Sequence, residues 1–214
     1  MPNWVYNTMT VSGDKATVEA FIKQAAQPYD CKTMKYDGDD WVMVEQISRE
    51  SLSFWNFIKP DDSILEEYWG PQPRFESLAD SMAKKTNHWY DWNCRNWGTK
   101  WDACEPESGG IEKQADNFYS VDYDFRTAWG DPKEVFEAMV QQYPTLYFSV
   151  TCNEEQGWGM EYYGENGELT MTDQWDIPDT HEEQESRTGN CYCEINDDYR
   201  PFDDCPVKKE AVSA

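Results

Sequence analysis

Positive charge is what this sequence has least of. Eighteen Lys and Arg stand against 42 Asp and Glu, for a formal net charge of −24, and the pI lies near 4.2. A surface this negative repels nucleic acid phosphates and anionic lipid. With no local basic patch in the chain, a general DNA- or RNA-binding role is excluded, and no direct nucleic acid or membrane contact is expected. Long apolar runs are missing as well. None approaches the 18 residues a membrane-spanning helix requires. The opening Met1-Pro2-Asn3-Trp4 has no basic region followed by an apolar stretch, so no signal peptide is expected and the cytosol is the expected compartment.

Histidine is nearly absent. His88 and His181 are the only imidazoles, which leaves little for a triad or a zinc site. The seven cysteines are odd in number, and in a reducing compartment they read as free thiols rather than a disulfide framework. Cys191, Cys193 and Cys205 with His181 form a conceivable metal set, but C-x-C is not the C-x-x-C of a zinc knuckle. No metal and no cofactor is expected.

Aromatics, by contrast, are abundant. Eleven Trp and 13 Tyr are far too many for a disordered acidic chain. Residues 4–12 read as a strand ending at Gly13. Asp14 is placed to cap a helix in which Val18, Phe21, Ile22 and Ala25 share one face, stopped by Pro28. Residues 37–67 are less regular, with nine acidic residues against Arg49 and Lys59. Within them, residues 52–58 read as a buried strand or a packed loop, and 75–96 as helical. Gly98 reads as a helix C-cap followed by a short strand, and 105–115 as a polar loop.

The second half alternates more cleanly. Tyr119, Val121, Tyr123 and Phe125 face one way, while Ser120, Asp122, Asp124 and Arg126 face the other, as in a half-buried antiparallel strand. Asp131-Pro132-Lys133-Glu134 predicts an N-cap, a Pro at N1 and a Glu at N3, opening a helix with Val135, Phe136, Met139, Val140 and Tyr143 as its apolar stripe. A strand through Leu146, Phe148, Val150 and Cys152 follows. Asn166-Gly167 then predicts a hairpin. From Asp176 to Asp204, ten acidic residues face only Arg187 and Arg200, and periodicity vanishes.

Four segments carry a family resemblance. They are the opening MPNW with TVSG at 10–13, SFWNFIKP at 53–60, NWGTKWDA at 96–103, and YDFRTAWGDP at 123–132 followed by an amphipathic helix. In order and spacing they resemble the YubB ferredoxin-like family of plasmid and bacteriophage proteins. The resemblance implies an α+β fold: a ferredoxin-like antiparallel sheet with helices on one face, over residues 1–175. Residues 176–214 are then an irregular, acidic, loosely structured extension. No Fe–S cysteine spacing is present, so no cluster is implied. The family brings no catalytic residues with it.

Candidate chemistry is sparse. His88, Asp91 and Cys94 fall together if 87–96 is helical, a conceivable Cys–His site but also a plain helix end. Lys100 and Asp102 would share one side of a strand, as a ligand site or as a salt bridge under tryptophan packing. Asp122 and Asp124 read as solvated acids. Asp37, Asp39 and Asp40 around Gly38 fail the calcium-loop spacing. Two readings of function follow. One is an acidic, non-enzymatic binding protein of a phage or plasmid. It would inhibit a host defence or nucleic-acid-handling protein, anti-CRISPR-like or as a nucleic acid mimic, by occupying a basic surface. Its expected contacts are Asp37, Asp39, Asp40, Trp41, Glu66, Glu67, Trp97, Lys100, Trp101, Asp102, Glu182, Glu183, Asp197 and Asp198. The other is a small-ligand protein or enzyme using the Lys100/Asp102 or His88/Cys94 region. It predicts a concave pocket near residues 88–102.

Overall fold

A computed structural model describes residues 3–36, 38, 40–71 and 86–188. The chain opens with β1 (Trp4–Gly13), whose alternate residues Val5, Met9 and Val11 are fully buried. Helix α1 (Lys15–Ala25) follows. The Asp14 carboxylate caps it, accepting the Thr17 N–H at 3.1 Å and the Thr17 hydroxyl at 2.5 Å. This satisfies backbone donors that a helix start leaves free.

Residues 26–103 form a long connection. It holds a hairpin of β2 (Tyr29–Tyr36) and β3 (Trp41–Ser48), a 3-10 turn at Phe54–Asn56, and the short helices α2 (Leu65–Tyr68) and α3 (Trp89–Asn96). The remaining strands are β4 (Cys104–Ser108), β5 (Glu112–Ala115), β6 (Phe118–Ala128), β7 (Tyr147–Glu154), β8 (Gly159–Glu165) and β9 (Glu168–Trp175). Helix α4 (Lys133–Gln142) joins β6 to β7, and α5 (His181–Thr188) follows β9.

The main sheet is antiparallel throughout, in the order β4-β6-β1-β7-β8-β9, with β5 also paired to β6. The sequence β1-α1-β4-β6-α4-β7 with spatial order β4-β6-β1-β7 is the βαββαβ arrangement of a ferredoxin-like fold. The hairpin of β8 and β9 widens it. Both α1 and α4 pack on one face: Phe21 meets Tyr123 and Phe148, while Phe136 meets Phe125 and Tyr162. Each buried large apolar side chain contributes about 1.5–3 kcal/mol. Gly164 lets α4 approach closely, since a Cβ there would sit 2.4 Å from a Val140 methyl.

Several local expectations differ from the structure. Within the stretch 37–67, read as less regular, residues 41–48 form strand β3, which pairs with β2 in a two-stranded hairpin. The expected polar loop at 105–115 contains two short strands, β4 and β5, both laid along β6. Of the two readings of 52–58, the packed loop is the one that forms, with a 3-10 turn at Phe54–Asn56. No strand follows Gly98; residues 97–102 run through turns and β4 starts at Cys104. Asp131 does not cap α4, whose cap position is Pro132 without a side-chain bond. Asp131 instead accepts the Tyr162 hydroxyl at 2.7 Å. In the stretch read as loose, residues 181–188 form α5. The Glu183 N–H donates to the Thr180 hydroxyl and the Glu183 carboxylate accepts the Asp179 N–H, a capping-box variant. The hairpin at Asn166-Gly167 forms as expected, with both residues at positive φ.

Candidate functional site

Two candidate surfaces stand out, a cleft in the long connection, where the expected Trp97, Trp101 and Asp102 come together, and the helix-free face of the main sheet, which holds none of the expected contacts. The cleft is built on the segment Asn96–Ala103. Helix α3 ends at Asn96, and Gly98 turns the chain at φ +78. A Cβ on Gly98 would lie 2.6 Å from a Glu134 carboxylate oxygen and 2.8 Å from the Asp131 carbonyl, so only glycine fits this turn. Next, the Thr99 hydroxyl clips the segment to the end of β6 through Ala128. The Asn93 amide donates to the Lys100 carbonyl at 2.9 Å, and the Tyr68 hydroxyl donates to Asn93 at 2.8 Å.

Lys100 and Asp102 then part company. The Lys100 ammonium lies over the rings of Trp101 (4.5 Å), Trp129 (4.8 Å) and Tyr90 (5.7 Å). It makes a cation–π cage within the chain. Trp129 holds its place at φ +75, a conformation that is costly for a bulky residue. The Asp102 carboxylate turns inward. One oxygen accepts the Tyr29 hydroxyl at 3.0 Å and the Ser53 hydroxyl at 2.5 Å. The other accepts the backbone N–H of Phe54 at 2.6 Å and of Ala103 at 2.7 Å. The expected Lys100–Asp102 pair is therefore absent, because the segment turns instead of running as a strand. Burial pushes the Asp102 carboxyl above the usual carboxylate range, offset in part by its four donors. Burial also raises the Tyr29 and Tyr68 hydroxyls, with the Asp102 charge adding to it.

Above Asp102 opens a cleft of about 380 Å³, within the usual size of small-molecule pockets. Its walls are largely aromatic. Tyr29 stacks on Trp55 with centroids 5.1 Å apart and planes 8° from parallel. Trp55 meets Trp69 at 5.8 Å, and Trp89 and Trp101 complete the lining. Trp97 is 2% exposed and forms part of the floor, its indole N–H donating to the Ile58 carbonyl.

His88, Asp91 and Cys94 do not assemble into a nucleophilic site. His88 occupies the cap position of α3 and packs on Trp89 at 5.4 Å. Asp91 accepts from Thr86. The Cys94 thiol is raised by burial and by the Asp91 charge, the opposite of an activated thiolate. No hydrogen bond among the described residues links the three.

The helix-free face of the sheet carries the polar sides of β1, β6, β7, β8 and β9. Thr8 donates to Asp124 at 3.0 Å and Thr10 to Asp122 at 2.6 Å. Strand register sets Glu107, Asp124, Thr8, Thr151, Glu161 and Asp173 in one row across six strands. Strands β1, β7, β8 and β9 contain no Lys or Arg, and Arg126 on β6 pairs with Glu105 and lies over Trp4. Three exposed tyrosines stand among the acids: Tyr6 (50%), Tyr147 (41%) and Tyr163 (39%).

The acidic residues expected to bind lie elsewhere. Asp40 is exposed just before β3, and Trp41 opens that strand. Glu66 and Glu67 lie on α2, where Glu67 accepts the Asn87 amide. Glu182 and Glu183 lie on α5, where Glu183 pairs with Arg187. These are three separate elements, none in the main sheet. Asp37, Asp39, Asp197 and Asp198 lie outside the described residues, as do Cys191, Cys193 and Cys205. Sequence reasoning missed Tyr29, Trp55, Trp69 and Trp89 as one wall, since nothing local joins residues 29, 55, 69 and 89. It missed the tyrosine-and-acid face, although alternation in each strand carried it.

Residues 110–193 match the family model for the ferredoxin-like domain in Api92-like proteins. The match covers β5 through α5. A crystal structure of the protein api92 from Yersinia pseudotuberculosis aligns with a TM-score of 0.50 at 10% sequence identity. The alignment covers 83% of this chain and 99% of that one. At that identity the likeness concerns the fold, which it supports as ferredoxin-like. No curated protein matches the chain. Among the described residues, no helix is long and apolar enough to cross a membrane.

Proposed function

We propose that this protein is a non-enzymatic binding protein. Its acidic sheet face docks on a basic surface of a nucleic-acid-handling protein and inhibits it there. The observation that carries the reading is the composition of that face: carboxylates at four of the six positions in one row across the sheet, four strands without a Lys or Arg, and three exposed tyrosines. Acids two residues apart on a strand stand about 6.8 Å from one another, and neighbouring strands are about 4.8 Å apart. The carboxylates form two negative bands, on β4 and β6 and on β8 and β9, that flank the tyrosine and hydroxyl side chains of β1 and β7. Thr8 and Thr10 hold two of its carboxylates in place before any partner arrives, which lowers the ordering cost of association. Opposite charge steers the encounter, and tyrosine is a frequent anchor at interfaces. The resemblance to plasmid and phage proteins supplies the setting, a bacterial cytoplasm in which a mobile element counters a host defence nuclease.

The test is affinity capture from bacterial lysate at low and high salt, using the wild-type chain and the variant D122N/D124N/E161Q. All three positions are exposed, so the variant keeps its fold. The expected result is a basic, nucleic-acid-handling protein that is retained at low salt, released at high salt, lost by the variant, and inhibited by the wild type. Retention that ignores salt, or that the variant preserves, would falsify the reading.

A further inference from the structure

The cleft above Asp102 takes no part in the sheet-face reading, yet it has the chemistry of a ligand site. Its wall is built of electron-rich rings, and at its floor sits a carboxylate. No Lys, Arg or His pairs with Asp102 among the described residues. Two of its four donors are backbone N–H groups, which cannot accept a proton back. Four donors converging on one carboxyl is the arrangement of an anion. The Asp102 charge lies at the floor of the cleft and electron-rich rings line it, so its potential favours a cation. Lys32, at the rim, is drawn to Glu45 at 3.8 Å, and Lys100 is held by its own ring cage at Trp101.

The donor count narrows the ligand further. A carboxylate offers about four lone-pair sites, and all four on Asp102 are taken. A primary ammonium is strongly hydrated and would give up much of that water against the aromatic wall, with side-chain oxygens of Thr33, Gln46 and Ser48 in the lining to replace only part of it. A trimethylammonium group has no N–H to satisfy. It gains the field of the carboxylate and contact with the aromatic wall of Tyr29, Trp55, Trp69 and Trp89 without that penalty. We infer that the cleft binds a small, free molecule carrying a trimethylammonium group.

The experiment titrates the full chain by calorimetry with three probes of similar size at constant ionic strength. They are choline, ethanolamine and the uncharged isostere 3,3-dimethylbutan-1-ol. Choline is expected to bind at least about tenfold more tightly than either of the others, as cation–π attraction in a desolvated site requires. Equal affinity for the uncharged isostere overturns the inference, since shape alone would then explain binding. Preference for ethanolamine overturns the donor argument, and absence of saturable choline binding overturns the site. W69L and W89L, checked by circular dichroism, are each expected to weaken choline about tenfold. Undiminished affinity in both would place the cation elsewhere. No co-sedimentation with phosphatidylcholine vesicles is expected, and its appearance would overturn the free molecule as the source of the group.

Discussion

Thr99 and Ala128 exchange a reciprocal pair of buried hydrogen bonds. The Thr99 hydroxyl donates to the Ala128 carbonyl at 2.8 Å and accepts the Ala128 N–H at 3.1 Å. Through this one side chain, the segment that forms the cleft floor is fastened to the last residue of β6. T99V keeps the shape and removes both bonds, leaving a buried N–H and C=O unmatched. We expect a loss of about 1–3 kcal/mol in urea denaturation. T99S, which keeps the hydroxyl, loses far less. A valine variant as stable as wild type would show that water replaces the clip.

Asp102 organises three pieces of chain around one carboxylate: Tyr29 at the start of β2, Ser53 and Phe54 in the connection, and Ala103 before β4. D102N turns an amide N–H₂ toward groups that are themselves donors. A cost of about 3 kcal/mol is expected, together with a red shift of tryptophan emission as the cleft opens. Y29F removes a single bond and is expected to cost about 1 kcal/mol.

His88 gives stability a dependence on acid. Burial lowers its proton affinity, with the nearby Asp91 charge opposing in part. The unfolded chain therefore binds the proton first, at about 6.5. Above that pH both states are neutral at this position and nothing changes. As pH falls through 6.5 toward the lowered folded value, the unfolded state gains protons and stability drops. Thermal melts between pH 8 and pH 5 should show this loss, and H88Q should flatten it. An unchanged slope in H88Q would assign the effect to other groups.

Glu154 has the opposite sign. It is 2% exposed. One oxygen accepts the Gln156 N–H at 2.6 Å, and the other is buried without a hydrogen-bond partner. Burial raises its carboxyl above the ordinary 4.5. The folded state thus holds the proton more tightly than the unfolded one, and the charge costs stability once pH rises past 4.5. E154Q is expected to melt higher than wild type at pH 8. The gap should close as pH falls toward 4.5, where Glu154 protonates. A gap that is constant with pH would point to packing rather than charge.

The core of the fold was legible because its signals are local. Alternation in 119–126 gave β6, the Asp14 cap and the stripe through Phe21 gave α1, and Asn166-Gly167 gave the hairpin of β8 and β9. The cleft was not legible, for physical reasons. Asp102 earns its four donors from residues 29, 53, 54 and 103, and only folding brings these together. Lys100 and Asp102 were paired on the assumption of a strand, but Gly98 at positive φ starts a turn that sends the two side chains apart. Asp131 has the sequence context of a cap, yet the Tyr162 hydroxyl reaches it across the sheet. The hairpin at 29–48 was hidden because its two strands show no sustained alternation of apolar residues, and none of their described side chains is fully buried.

The placement of the tryptophans has an optical consequence. Trp55, Trp69, Trp89, Trp92, Trp97 and Trp101 all belong to the connection between α1 and β4, and several stand within 6 Å of one another. No tryptophan is among the fully buried side chains of the main sheet. Intrinsic fluorescence is therefore weighted toward the connection, which holds seven of the eleven tryptophans, while far-ultraviolet dichroism watches the strands. Two melting curves recorded on one sample would reveal whether cleft and sheet come apart together or in turn.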